Sequence, residues 1–149
     1  MSWADDEFAM VKLGDKRLDD RLVKMVEQLA SQPMASIPKA CGGWGDTAAA
    51  YRMFDNERCD WRKIIEAHAG CAVKRMAEHA VVLCLNDTTE LDFNGRDVEG
   101  SGPLSYEAQR GMYLHPTYAV TPDRLPLGIV DAWMWAREFR DKDGRREGI

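Results

Sequence analysis

Two aspartates, Asp87 and Asp92, lie in the stretch LCLNDTTELDF, which follows an apolar run at 80–82. Carboxylates are the ligands that Mg²⁺ prefers, and a sheet holds such ligands more rigidly than a loop does. Two Mg²⁺ ions about 3.5–4 Å apart can support phosphodiester hydrolysis and strand transfer. Asp87 is the stronger candidate ligand, because Asp92 would point to the opposite face if the strand continued. The local sequence alone favours a turn in which Asp87 hydrogen-bonds its own backbone.

A row of basic side chains suggests a second kind of chemistry. Arg17, Arg21 and Lys24 are spaced by four and three residues, so they share one side of a predicted helix. Such a row can contact DNA phosphates, although a charged helix face is more often simply solvated. The net charge of −5 argues against binding of nucleic acid through overall charge, so any DNA contact must come from a local patch.

The cysteines favour packing over chemistry. No Cys-x-x-Cys pair occurs, and the acidic N-terminus MSWADDEFAM lacks the features of an export signal, so disulfides are not expected. His68 and Cys71 could share a helix face as two zinc ligands, but no second pair has a suitable spacing. The four cysteines are therefore predicted to be reduced thiols packed as small apolar groups, at Cys41, Cys59, Cys71 and Cys84.

The chain up to about His79 predicts helices only. The clearest helix is DKRLDDRLVKMVEQLAS, capped by Asp15, whose apolar stripe consists of Leu18, Leu22, Met25, Val26 and Leu29. A short helix is predicted over roughly 3–11, after a capping box formed by Ser2 and Asp5. Two more helices are predicted after caps at Asp46 and Asp60, and QPMASIPKACGGWG is predicted to be a loop.

The rest of the chain predicts strands. AVVLCLN predicts a buried strand, the polar segment 94–111 a long loop, and MYLHPTYAV a second strand in which Pro116 indicates an edge or a bulge. LGIVDAWMW predicts a third strand, with Trp133 and Trp135 on one face. The turn TPDRLP favours an antiparallel hairpin. The three-stranded sheet as a whole has apolar residues on both faces and requires cover on both sides. The charged segment after Trp135 predicts frayed structure. Neither Glu107 nor His115 has an evident role.

The order of four motifs resembles the front of a bacterial cut-and-paste transposase of the IS-four family, of the transposon Tn-five type. The motifs are LGDKRLDDRL, AAAYRMFDN, LNDTTELDF and QRGMYLHPTYAVTPDRLPLGIVDAWMW, and the resemblance runs from about Leu13 to Arg137. It implies an α+β fold with two parts. Residues 1–79 would form a helical DNA-binding domain, and residues 80–149 the first three strands of an incomplete ribonuclease-H-like catalytic core.

The resemblance also implies roles for particular residues. Asp87 falls on the first catalytic Asp of an Asp-Asp-Glu metal site, in the family's Asp-Thr-Thr, with Mg²⁺ or Mn²⁺ as the cofactor. DNA contacts fall on Lys16, Arg17 and Arg21, which Lys24 joins by its position on the helix. Tyr51 and Arg52 fall in the next motif, although Tyr51 could instead pack with Phe54 in a core.

The family's second Asp and its Glu, in a Tyr-Arg-Glu-Lys signature, have no counterpart in the sequence. We therefore expect a truncated transposase in which Asp87 alone binds Mg²⁺ weakly and no strand is cleaved. Its expected partner is the terminal inverted repeat of a transposon, bound by a homodimer, in the bacterial cytoplasm at the nucleoid and not at a membrane. Two other hypotheses are a non-enzymatic regulator of transposition and a small α+β interaction protein unrelated to DNA.

Overall fold

A computed structural model of the chain describes residues 1–106 and 108–139. Glu107 and the charged segment from 140 onward lie outside the described residues. The chain divides into two compact units, Met1–Lys74 and a second that begins at Arg75. Among the described residues, no helix has both the length and the apolar character needed to cross a bilayer.

The predicted long helix is confirmed as α2, Lys16–Ser31. The carboxylate of Asp15 caps it by accepting the Arg17 N–H at 2.9 Å. Leu22 and Met25 are buried, and the rest of the predicted stripe packs against the same core cluster. The 3.6-residue periodicity therefore identified the buried face of this helix correctly.

Four further helices belong to the helical part of the chain. Helix α1, Trp3–Glu7, starts at the predicted capping box and ends earlier than predicted. Helix α3, Ile37–Cys41, lies in the segment that was predicted to be a loop, because Pro38 is tolerated in the first turn of a helix. Helix α5, Trp61–Met76, is capped as predicted by Asp60, which accepts the Arg62 N–H at 2.9 Å.

The prediction of Asp46 as a cap is wrong. Helix α4, Trp44–Phe54, begins at the N-cap Gly43, so Asp46 lies inside its first turn. The Gly42-Gly43 pair allows this earlier start, because Gly42 adopts a left-handed conformation with φ of 70° and ends α3 there. The Asp46 side chain is consequently free to contact another helix.

The second unit contains an antiparallel sheet built around one long strand. Its strands are β1 (Leu83–Asn86), β2 (Thr89–Asp92), β3 (Gly102–Pro103), β4 (Arg110–Val120) and β5 (Pro126–Trp135). Strand β4 is central, with β1 and β2 along one side and β5 along the other. The predicted antiparallel hairpin is β4–β5. Together with the helices, the sheet makes the fold α+β, as predicted.

Strands β1 and β2 act as one interrupted strand. Leu83 pairs with Val120 and Asp92 with Gly111, so the register to β4 is the same before and after the break. The break lies at 87–88, opposite Pro116, which has no N–H to donate to a ladder. Pro116 thus lies in the central strand and not at an edge, which was one of the two predicted alternatives. The other, a bulge, agrees with the shift in register to β5 just after it, between Thr117 and Tyr118.

Two other predictions about the sheet need correction. Strand β1 was predicted to be buried, yet all four of its residues are exposed, including Leu83 and Leu85. Apolar composition marks a strand but does not supply the layer that would cover it. The predicted long loop contains β3 and the start of β4. The shared face of Trp133 and Trp135 is confirmed, because they lie opposite His115 and Tyr113 on β4.

Gly111 of β4 permits a close approach of backbones. A Cβ atom at this position would collide with the carbonyl group of Leu91, so Gly111→Ala should destabilise the sheet by about 1–3 kcal/mol. Faster amide hydrogen exchange in β4 would report this loss. Gly45→Ala is the control, because its Cβ would meet no atom within 4 Å and alanine favours a helix. Equal exchange rates in β4 for the two variants would contradict the prediction.

Candidate nucleic-acid interface

The first member of the basic row on α2 is Arg17. Arg17 is exposed, and none of the described residues forms a hydrogen bond or an ion pair with its side chain. Lys16 beside it forms an exposed ion pair with Asp20, with 2.7 Å between Nζ and the carboxylate oxygen. Surface pairs of this kind contribute little stability, so Lys16 can exchange this partner readily.

The other two members of the row share one carboxylate from α4. Arg21 Nη1 lies 2.9 Å from Asp46 Oδ1, and Lys24 Nζ lies 2.8 Å from both oxygens of Asp46. Gln28 Nε2 donates to Asp46 Oδ2 at 2.9 Å and to the carbonyl oxygen of Cys41 at 3.1 Å. The hydrogen bonds from Lys24, Gln28 and Arg21 hold the pKa of Asp46 well below its ordinary value.

This carboxylate is a functional candidate that the sequence did not reveal. Asp46 is separated from Arg21 and Lys24 by 25 and 22 residues, so no local spacing connects them. The spacing of Arg21, Lys24 and Gln28 by three and four residues could have shown that α2 offers three donors on one side. The position of their common acceptor depends on how α4 packs.

Tyr51 and Arg52 lie on the surface of α4. Tyr51 is 48% exposed and Phe54 is 51% exposed, so the alternative that they pack in a core is wrong. Their rings form an edge-to-face pair with centroids 6.4 Å apart. Trp44, seven residues before Tyr51, is also exposed. The exposed side of α4 is therefore aromatic, with the Arg52 side chain beside it.

Asp87, the predicted metal ligand, is exposed at the break between β1 and β2. Its Oδ1 accepts the N–H of Thr88 at 2.9 Å, and Thr88 Oγ1 lies 2.6 Å from Nδ1 of His115. The local hydrogen bond of the alternative interpretation is thus present, although the strand continues and does not turn. Asp92, on the opposite face as predicted for a continuing strand, accepts from Asn94 and Gln109 at 2.8 Å each.

The residues around Asp87 do not form a complete metal site. Within the described part of the chain, no three His, Cys, Asp or Glu side chains come together in a way that could hold a metal ion. A pair of Mg²⁺ ions requires several carboxylates, because the ions repel each other and must lose water. The described residues therefore do not fit a two-ion centre, and Asp87 can supply one ligand at most.

The predicted packing of the cysteines holds for Cys41 and fails for Cys84. Cys41 is buried in the helical core, whereas Cys84 is exposed on β1. Burial raises the pKa of the partly buried Cys59 thiol. The alternative zinc pair contacts α1 instead, since Nδ1 of His68 lies 2.6 Å from Oε1 of Glu7 and Cys71 Sγ donates to the Glu7 carbonyl oxygen at 3.5 Å.

Comparison with known families identifies the class of protein to which the helical part is similar. Residues 1–59 match the family model described as transposase DNA-binding. This segment contains α1 to α4, and with them the basic row and Asp46. The match supports a transposase N-terminal domain and a DNA-binding, transposase-related role. The chain therefore combines a helical transposase-type DNA-binding region with an antiparallel sheet.

Proposed function

We propose that the helical unit binds transposon-end DNA, as the N-terminal domain of a cut-and-paste transposase of the IS-four type. The observation that carries this proposal is the family match over residues 1–59, which includes the complete basic row of α2. That segment contains eight Lys and Arg residues against ten Asp and Glu residues, so its overall charge would not attract DNA. The local row is therefore assigned the phosphate contacts, through Lys16, Arg17, Arg21 and Lys24.

The sheet is proposed to be the start of a ribonuclease-H-like core. Support comes from its strand order, in which the interrupted strand 83–92 neighbours β4 and β4 neighbours β5, all antiparallel. A carboxylate, Asp87, lies in the first of these strands. Tyr51 and Arg52 are proposed as further DNA contacts, because an exposed ring and a cation on one helix can contact sugar and phosphate groups.

Selection of bound duplexes from a randomised pool tests the DNA-binding proposal. The full chain should enrich one sequence, and that sequence should occur as an inverted repeat in the genome that encodes the chain. A mixed-sequence duplex should bind more weakly and with strong salt dependence. If neither the randomised pool nor the mixed-sequence duplex binds even at low salt, the better hypothesis is an α+β interaction protein unrelated to DNA.

A homodimer on DNA is part of the same proposal. Both ends of a transposon carry the repeat, so two copies of one chain can each occupy an end. Light scattering with the selected duplex should show a complex with the mass of two chains and two duplexes. Because phosphate contacts do not depend on sequence, we also propose that the protein resides at the nucleoid of a bacterial cell.

Asp87 is proposed as one ligand of a metal site whose other carboxylates come from outside the described residues. A single exposed carboxylate should hold Mn²⁺ only weakly, so paramagnetic broadening of the Thr88 amide signal should require millimolar metal. Asp87→Asn should remove this broadening, because the amide carries no charge. Asp92→Asn, on the opposite face, is the control. Broadening that survives Asp87→Asn and disappears in Asp92→Asn would move the assignment to Asp92.

A further inference from the structure

The basic row of α2 is only partly free to meet DNA. Arg21 and Lys24 both bond the Asp46 carboxylate, whereas Arg17, one turn earlier, has no such partner among the described residues. Two of the four cations assigned to phosphate contacts are therefore paired with the Asp46 carboxylate. To contact these two cations, a phosphate group would have to replace the Asp46 carboxylate or share the cations with it.

Asp46 is held at this place by more than its charge. Gln28 joins the carboxylate to the Cys41 carbonyl oxygen at the end of α3, and Asp46 itself belongs to the first turn of α4. The side chain of Asp46 is only 26% exposed, and its lowered pKa keeps it ionised at the pH of any ordinary binding measurement. The row therefore carries a permanent negative charge next to two of its cations.

We propose that Asp46 is a positioning residue that competes with DNA phosphates for Arg21 and Lys24. The inference rests on the proposed function, because it concerns the same phosphate-binding row. Carboxylate and phosphate oxygens make the same charge-assisted hydrogen bonds to guanidinium and ammonium groups, so one can replace the other. In the free protein Asp46 orients the two side chains, and on DNA the phosphates take them over.

Competition of this kind limits binding to DNA that offers phosphates alone. A mixed-sequence duplex offers phosphates alone, and it must displace Asp46 with no other gain. A duplex with the correct sequence adds base contacts that offset the displacement. Asp46 thus lowers the affinity for DNA in general, so that at a given protein concentration a duplex without base contacts stays largely unbound.

Neutralising Asp46 should therefore tighten binding to mixed-sequence DNA. Asp46→Asn keeps the shape and one oxygen acceptor, and it should raise the affinity of the full chain for a labelled mixed-sequence duplex about fivefold at low salt. The log–log salt slope should change little, because phosphates contact Arg21 and Lys24 in the complexes of both proteins. Asp46→Glu keeps the charge and should bind as the wild type does. Fluorescence anisotropy measures all three proteins.

Glu57→Gln is the matched control. Glu57 is exposed and forms no ion pair with the described residues, so its loss changes the net charge equally without freeing Arg21 or Lys24. Equal affinities of Asp46→Asn and Glu57→Gln would overturn the inference and leave the proposed function intact. An equal rise in Asp46→Glu would overturn it as well, because the charge is kept there. Wild-type protein that binds no duplex would refute the proposed function, and the inference with it.

A measurement on the wild-type chain covers the case in which Asp46→Asn does not fold. Carbon-detected NMR follows the side-chain carboxyl signals during titration with the same duplex. The Asp46 signal should move as its two cations leave, while the Glu57 signal stays in place. An Asp46 signal that does not move while backbone amides of α2 report binding would refute the competition.

Discussion

Replacement of Arg17, Arg21 and Lys24 by glutamine should weaken binding to both specific and mixed-sequence DNA. Each phosphate contact contributes about 0.9 to the log–log salt slope, so loss of three should flatten it by up to about 2.7. The same relation predicts a loss of affinity on the order of a hundredfold at ~0.1 M salt. Arg17 should account for a large share of this loss, because it is the one of these three residues that Asp46 does not engage.

The control for this variant removes the same number of positive charges elsewhere. Arg58, Lys63 and Lys74 are exposed residues of the helical unit that lie outside α2. Their joint replacement by glutamine should change the salt slope little if binding depends on the row itself. Circular dichroism should show that both triple variants remain folded. An unchanged slope in the α2 variant would remove the row from the interface.

The sequence predicted those features whose physical cause lies within one short segment of the chain. Helix α2 follows from the spacing of its apolar residues and from the cap at Asp15, and both lie within a few turns of chain. The opposite orientations of Asp87 and Asp92 follow from the two-residue period of a strand. In each case the physical cause and the sequence signal lie in the same segment.

The features that were missed lie in segments with the composition of a loop or depend on distant parts of the chain. Helix α3 is short, and its proline and neighbouring glycines resemble a loop in composition. The exposure of β1 depends on whether another layer covers it, which its own apolar residues do not determine. The ion pairs of Asp46 join α2 to α4 across more than twenty residues. Sequence periodicity therefore could not predict the pairing of Asp46 with Arg21 and Lys24.

The presentation of the basic row depends on one deeply buried leucine. Leu22 lies next to Arg21 in α2, is 2% exposed, and belongs to the helical core cluster with Met25 and Met53. Leu22→Ala would leave a cavity there and should destabilise the helical unit by about 3 kcal/mol. For a unit of this size the melting temperature should fall by more than about 10 °C. DNA binding should be lost over the same temperature range, because the row needs a folded α2.

Leu18→Ala separates the cavity effect from the loss of a leucine in α2. Leu18 lies one turn before Leu22 in α2 but is only partly buried against the cluster, so less apolar area returns to water. The melting temperature of Leu18→Ala should fall by less than half as much as that of Leu22→Ala. Its DNA binding at low temperature should remain at the wild-type level. Calorimetry and anisotropy on the same samples measure both quantities. Equal destabilisation by the two substitutions would show that Leu22 is not the centre of this core, and that α2 is held by contacts spread along its whole apolar face.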